Sequence, residues 1–239
     1  MERDDRDRPQ AFYVMSEGPQ ASAVERGVRW LVDLGMTDSA KRSALLAVLA
    51  KSNLRGAISE ALGDEVAKRL STSETVAIDD IAITLMTKLT PKRSWNGPIL
   101  TVFPTRDLLN VIDTMAGVTD VLVVPWNMKE LAYWINAASA VEVDGRCGGG
   151  ETAISVNANL LARLEAMMLG VNRGTPLANQ QDRARIVSTI ESLKREGLLK
   201  DAEVVRLCLV RDLRLKAGQA DEVMEIAKGV LAGKKYRVR

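Results

Sequence analysis

The sequence predicts an α/β fold that is rich in helix, with a small parallel βαβαβ unit in the middle of the chain. Two observations lead to this fold class. Between residues 98 and 143, short runs of β-branched residues alternate with segments of helical periodicity. The apolar run at 121–124 has no polar face, which is typical of a parallel strand covered by helices on both sides. An N-terminal helical region and a C-terminal helical bundle are expected to flank this unit.

The N-terminal part of the chain is predicted to be helical after a disordered leader. Residues 1–20 mix charges with proline and glycine and show no apolar period, which indicates disorder. Apolar residues from Val24 to Val32 fall at helical spacing, and Gly35 can end that helix. A second helix carrying residues 45–50, capped by Asp38 or Ser39, and a third at about 54–70 complete the region.

The middle of the chain alternates between predicted strands and helices. Residues 71–86 favour a strand by composition, but Ile78, Ile81 and Leu85 share a helical face, so a helix is predicted from Asp79 to the stop at Pro91. Strands follow at 99–103, 121–124 and 141–143, with helices at 106–115 and 128–137 between them. Since three strands make a thin sheet, another strand is expected at an edge, from residues 153–156 or from the 71–86 stretch.

The glycine-rich segment 144–150 predicts a boundary between domains, because consecutive glycines offer no side chains to pack. The expected organisation is a leader at 1–20, a helical region plus α/β domain at 21–146, and a C-terminal helical domain with a basic tail at 147–239. Apolar residues at 160, 164, 167 and 168 form a stripe that is typical of a core. Three more helices are predicted at 179–196, 201–214 and 219–232, separated by Gly197 and Gly218.

Composition excludes several classes of function. The chain has 33 basic and 31 acidic residues, a formal charge of +2, so no overall field attracts nucleic acid or lipid. It contains no histidine, which removes the commonest general base and metal ligand, and its two cysteines lack a CxxC spacing. We therefore expect no bound metal, no cofactor and no disulfide. The charged start and the short apolar runs predict a cytoplasmic protein without a membrane segment.

Polar residues follow each predicted strand of the middle unit and define a candidate ligand site. Parallel strands end at the same edge of a sheet, where helix amino termini present free N–H groups. We call these residues the strand-end rim: Thr105, Arg106, Asp107, Trp126, Asn127, Asp144 and Arg146. The alternative is structural, because Thr105 and Asn127 also suit helix caps, with Asn127 and Glu130 spaced as a capping box.

Other motifs are absent or weak. Residues 98–150 match neither GxGxxG nor GxxxxGK[ST], so dinucleotide binding is disfavoured. The basic residues Lys234, Lys235, Arg237 and Arg239 suggest a nucleic-acid contact, and the helices at 179–196 and 201–214 have the order of a helix-turn-helix. However, the second of these helices is apolar on most faces, which suits a buried helix better than one lying in a DNA groove.

Three hypotheses for function follow from the sequence. The first is a non-enzymatic regulatory or interaction protein, in which the α/β unit is a scaffold and the helices recruit a protein partner or form a homo-oligomer. The second is a module that binds, or hydrolyses, a small anionic ligand at the strand-end rim. The third is a nucleic-acid-binding regulator that uses the C-terminal helices and the basic tail. The missing histidine and phosphate loops favour the first and weigh against an enzyme.

Overall fold

A computed structural model describes residues 9–73, 75–143 and 154–236 of the chain. Its contacts divide the chain into two compact units. The first consists of Met1–Ile135 with Ser139–Glu151, and the second consists of Asn136–Ala138 with Thr152–Arg239. The domain boundary predicted between 146 and 147 lies outside the described residues.

The first unit is built on a mostly parallel sheet, which confirms the α/β fold class. Seven strands are found among the described residues: β1 Gln10–Tyr13, β2 Ser43–Val48, β3 Thr75–Ile78, β4 Ile81–Thr87, β5 Ser94–Val102, β6 Ala116–Val124 and β7 Val141–Glu142. They lie in the order β3-β4-β2-β5-β6-β1-β7, and β3 alone is antiparallel to its neighbour. The three strands of the predicted βαβαβ unit, β5, β6 and β7, therefore belong to a larger sheet, in which β1 lies between β6 and β7.

Helices cover both faces of this sheet. They are α1 Ala21–Thr37, α2 Ala57–Leu62, α3 Asp64–Ser73, α4 Arg106–Thr114 and α5 Met128–Ala138. The first three pack on the face that carries Leu46, Leu100 and Leu122. From β1 through α1 to β2 the chain moves along the sheet in one direction, and through α4 and α5 it moves from β5 to β6 to β7 in the opposite direction. Because crossovers between parallel strands are right-handed, α4 and α5 lie on the other face of the sheet. The predicted helices near 24–35, 106–115 and 128–137 are confirmed, whereas the single helix predicted at about 54–70 is two helices, α2 and α3, divided at Gly63.

The first strand contradicts the predicted disordered leader, residues 1–20, in its described part from Pro9 onward, and residues 1–8 lie outside the described residues. Residues 10–13 form β1, which pairs in parallel with β6 on one side and β7 on the other. Tyr13 is only 2% exposed, so this segment belongs to the core. The strand was missed because its short apolar run, Ala11 to Met15, lies between proline and charge-rich stretches and is too short to show a period.

The second strand corrects the helix predicted over residues 45–50. Leucine and alanine have high helix propensity, yet Ser43–Val48 forms an inner strand of the sheet, β2, paired with β4 and β5. All of its residues after Ser43 are buried, so no polar face marks the alternation of a strand. The predicted Asp38 cap is real, but its carboxylate accepts the Ala40 N–H and caps a short 3₁₀ turn instead.

A hairpin replaces the helix predicted from Asp79 to Pro91. Strands β3 and β4 pair through Ile78 and Ile81. The two turn residues, Asp79 and Asp80, have φ values of 46° and 65°, as a type I′ turn requires. This hairpin supplies the additional edge strand that was expected from residues 71–86, whereas the described residues 154–156 lie outside any strand.

The second unit is a helical bundle, as the sequence predicts. It contains α6 Ala158–Met168, α7 Gln180–Arg195, α8 Ala202–Leu207 and α9 Ala217–Leu231, with α8 continued by a π turn over Cys208–Asp212. The stripe at 160, 164, 167 and 168 lies in the bundle core, which confirms the core interpretation. In the described part of the chain, no helix has the length and apolar character to cross a bilayer.

Close packing of α1 on the sheet leads to a stability prediction. A Cβ added to Gly27 would lie 2.7 Å from Leu100 Cδ1, so Gly27→Val should lower the free energy of unfolding by about 1–3 kcal/mol. The control is Ser22→Val on the exposed side of the same helix, which should change it by less than about 0.5 kcal/mol. Chemical denaturation measures both, and equal effects would show that α1 does not depend on this contact.

Candidate functional site

The first two segments of the strand-end rim lie side by side, as predicted. Strand β5 leads through Phe103–Thr105 into α4, and the neighbouring β6 leads through residues 125–127 into α5. The Phe103 N–H donates to the Val124 carbonyl oxygen at 2.8 Å, which joins the two strand ends. The rings of Phe103 and Trp126 meet at 85°, with their centroids 5.5 Å apart.

The third segment of the rim is not a neighbour of the other two. Strand β1 lies between β6 and β7, so the end of β7 is separated from Trp126 by a strand that the sequence had not predicted. Asp144 and Arg146 themselves lie outside the described residues. The loop after β1 takes the place expected for them, since the Gly18 N–H donates to the Trp126 carbonyl oxygen at 2.8 Å.

Asn127 acts as a helix cap, as the structural alternative for the rim predicts, whereas Thr105 does not. The Asn127 side-chain oxygen accepts the Lys129 N–H at 2.8 Å and caps α5. Thr105 also precedes a helix, yet within the described residues around it the Thr105 hydroxyl makes no capping hydrogen bond. The first-turn amides of α4 are therefore not capped by this side chain, and they lie at the positive end of the helix dipole.

An ion pair reaches across the end of β2. The Lys88 ammonium, just after β4, lies 2.6 Å from the Asp107 carboxylate in the first turn of α4. The Lys88 N–H donates a hydrogen bond to the Val48 carbonyl oxygen, which places Lys88 beside the end of β2. Both side chains are exposed, 44% and 67%, so solvent screens the pair and it contributes little to stability.

The sheet changes winding direction between β2 and β5. These strands are neighbours, but the chain leaves β2 toward β4 on one face and leaves β5 toward β6 on the other. In open α/β sheets, a crevice for ligands forms outside the carboxyl ends of two such strands. The Lys88–Asp107 pair, Thr105 and Arg106 all lie at this edge.

Phe103 carries backbone strain at the same edge. Its φ of 51° is in the left-handed region, where a side chain with a bulky ring costs about 1–2 kcal/mol. Such strain is found most often at ligand sites and at sharp changes of chain direction. Here it allows the chain to turn from β5 toward α4 while the Phe103 ring contacts Trp126.

Three contributors to the rim were missed by sequence reasoning: Lys88, Phe103 and the loop after β1. Lys88 was placed in a helix, so the end of β4 was not recognised as a strand end. The β1 loop carried a usable signal, because an apolar run followed by Ser16-Glu17-Gly18-Pro19 and then by helical periodicity has the pattern of a strand, a turn and a helix. Phe103 carried no signal, since its strain arises only in the folded chain.

The residues proposed for nucleic-acid binding are only partly described. The Lys234 ammonium lies 5.2 Å from the centre of the Tyr236 ring, and Lys235 is exposed. Arg237 and Arg239 lie outside the described residues. Ala202, Val205 and Leu207 are buried, which confirms that the helix after 201 suits a bundle core.

Two further sequence expectations concern reactive groups. Burial raises the pKa of the Cys208 thiol to about 11, so this cysteine is protonated at neutral pH and is a poor nucleophile. Cys147 lies outside the described residues. No cluster of three or more carboxylate or thiol side chains that could hold a metal ion occurs in the part of the chain that the structure describes.

Comparison of the chain with models of known protein families, with curated proteins and with solved structures finds no match.

The different roles of the two cap positions are testable. Asn127→Ala should lower the free energy of unfolding by about 1 kcal/mol, because it removes the hydrogen bond that caps α5. Thr105→Ala, the matched change at the start of α4, should cost no more than a few tenths of a kcal/mol, roughly the cost of a surface substitution. Urea denaturation measures both, and a larger loss for Thr105→Ala would return Thr105 to a purely structural role.

Proposed function

We propose that the protein binds a small anionic ligand in the crevice at the carboxyl ends of β2 and β5. The observation that carries this proposal is the change of winding direction between these neighbouring strands. The position of the crevice alone does not specify the charge of the ligand. The residues beside the crevice favour an anion, because Lys88 and Arg106 bring positive charge to the amino end of α4.

Asp107 occupies the Lys88 ammonium group when no ligand is bound. Its carboxylate is paired with Lys88, so an incoming phosphate or carboxylate competes with Asp107 for the same ammonium group. Because both partners are exposed, little free energy is lost when Lys88 turns from Asp107 to a ligand. The ion pair is thus compatible with an exchangeable site.

The proposal predicts that Lys88 governs affinity. Isothermal titration of the full chain with inorganic phosphate should detect binding, and Lys88→Met should weaken it roughly tenfold, since a hydrogen bond to a charged group is worth about 1.5–3 kcal/mol. Lys129→Met is the matched control, because Lys129 is exposed at the start of the neighbouring helix α5. Its effect should be less than about twofold.

Two results would contradict the proposal. If phosphate, sulfate and acetate all fail to bind the wild-type protein, the crevice is not an anion site. If Lys88→Met and Lys129→Met weaken binding equally, the anion is attracted by general charge and not by the crevice.

A second candidate function is interaction with a protein, including self-association. It is favoured by two exposed apolar residues on adjoining rim loops, Met15 at 49% and Trp126 at 55%. Methionine and tryptophan are enriched at protein interfaces. Sedimentation equilibrium tests self-association: the wild-type protein should form dimers that Met15→Ser weakens, and a monomer at all concentrations would exclude it.

A further inference from the structure

Trp126 is an exposed ring that is nevertheless held in place. More than half of it is open to solvent, whereas Trp30 and Trp134 are 8% and 7% exposed. Its carbonyl oxygen accepts the Gly18 N–H, and its ring contacts Phe103. An exposed aromatic side chain whose backbone is hydrogen-bonded, and whose ring already packs against one neighbour, loses less conformational freedom when another ring stacks on it.

The contact with Phe103 leaves a face of Trp126 uncovered by that neighbour. The two rings are close to perpendicular, so the edge of one meets the face of the other. Such a contact covers at most one face of Trp126. At least one face is therefore left by Phe103 for a planar group to stack on.

The exposed ring lies beside the proposed anion site. Phe103, which touches Trp126, directly follows β5 and lies three residues before α4 begins at Arg106. Neighbouring strands are about 4.8 Å apart, so the Trp126 ring after β6 lies one to two strand spacings from the crevice at the ends of β2 and β5, a distance that one small molecule can span. A ligand that uses both carries a planar ring and an anionic group joined by a short linker.

The sequence favours a single anionic group over a chain of phosphates. Diphosphates and triphosphates are commonly held by glycine-rich loops that present several backbone N–H groups, and residues 98–150 carry neither of the usual patterns. The described turn between β5 and α4, Phe103-Pro104-Thr105, contains no glycine.

We propose that the crevice ligand carries one phosphate group and one planar aromatic ring, as a nucleoside monophosphate does. Its ring stacks on Trp126 while its phosphate binds beside Lys88. This inference rests on the proposed anion site and adds the ring to it. Stacking of a base on an aromatic side chain tolerates different bases, so Trp126 selects for a ring and not for one particular base.

The test compares three probes by isothermal titration of the full chain: adenosine monophosphate, inorganic phosphate and adenosine. Adenosine monophosphate should bind the wild-type protein about tenfold or more tightly than phosphate, in line with the measured worth of base stacking. Trp126→Ala should reduce adenosine monophosphate to the affinity of phosphate and leave phosphate binding unchanged. Leu89→Ala, another exposed apolar residue after a strand of the same sheet, is the control and should change neither.

The outcomes separate this inference from the function on which it rests. If phosphate binds but adenosine monophosphate binds no more tightly, the ring site is wrong and the anion site stands. If neither binds, both are overturned. If adenosine binds as tightly as adenosine monophosphate, the phosphate makes no contact and the combined site is overturned.

Phe103→Gly provides a second measurement. Glycine adopts positive φ without strain, but the half-buried Phe103 ring packs against the core of the sheet, so this variant should melt at a lower temperature than the wild-type protein. In this variant the ratio of the affinity for adenosine monophosphate to the affinity for phosphate should also fall, because Trp126 loses the neighbouring ring that it packs against. A lower melting temperature with an unchanged ratio of affinities would show that Phe103 serves packing alone, and would overturn its place in the ring site.

Discussion

The long crossover helix α1 has to lie close to the sheet, and much of the first unit depends on this. It leaves β1, passes over β6 and β5, and returns the chain to β2 at the centre of the sheet. Gly27 faces Leu100 and Val124, and Gly35 faces Ile81 so closely that any side chain would collide with it. Without a Cβ at these two positions, the backbone of α1 approaches strands from both halves of the sheet. The hydrogen bonds between β2 and β5 fix the spacing of these two strands, and α1 covers the face of the sheet to which they belong.

The sequence predicted elements well where their residues repeat with a clear period or are bounded by clear signals. Helices α4 and α5 each follow a proline-containing strand end and begin with residues suited to caps, and both were placed within about two residues. The strands β5 and β6 were recognised as continuous apolar runs. The rim segments at the ends of these two strands were therefore predicted to lie along one edge of the sheet, and the parallel pairing of β5 with β6 places them there.

The elements that sequence reasoning missed are those whose identity is decided by distant partners. Ser43–Val48 has the composition of a helix, and only its burial between β4 and β5 makes it a strand. Residues 10–13 are too few to show a period, and become a strand because β6 and β7 offer them two edges. The same reason applies to the site, because the contribution of Lys88 depends on the pairing of β4 with β2. Local propensity does not contain that information.

The position of β1 in the sheet also has a consequence for the order of events during synthesis. Gln10 pairs with Asp120, 110 positions later in the chain, so β1 cannot pair with β6 until β6 has also emerged from the ribosome. In contrast, β3 and β4 are joined by a two-residue turn and can associate as soon as both are made. Pairings between distant segments form slowly, and unpaired apolar strands are exposed to aggregation in the meantime. The growing chain therefore carries β1 as an unpaired apolar strand until β6 has been made, and during this interval we expect chaperone binding to protect it most.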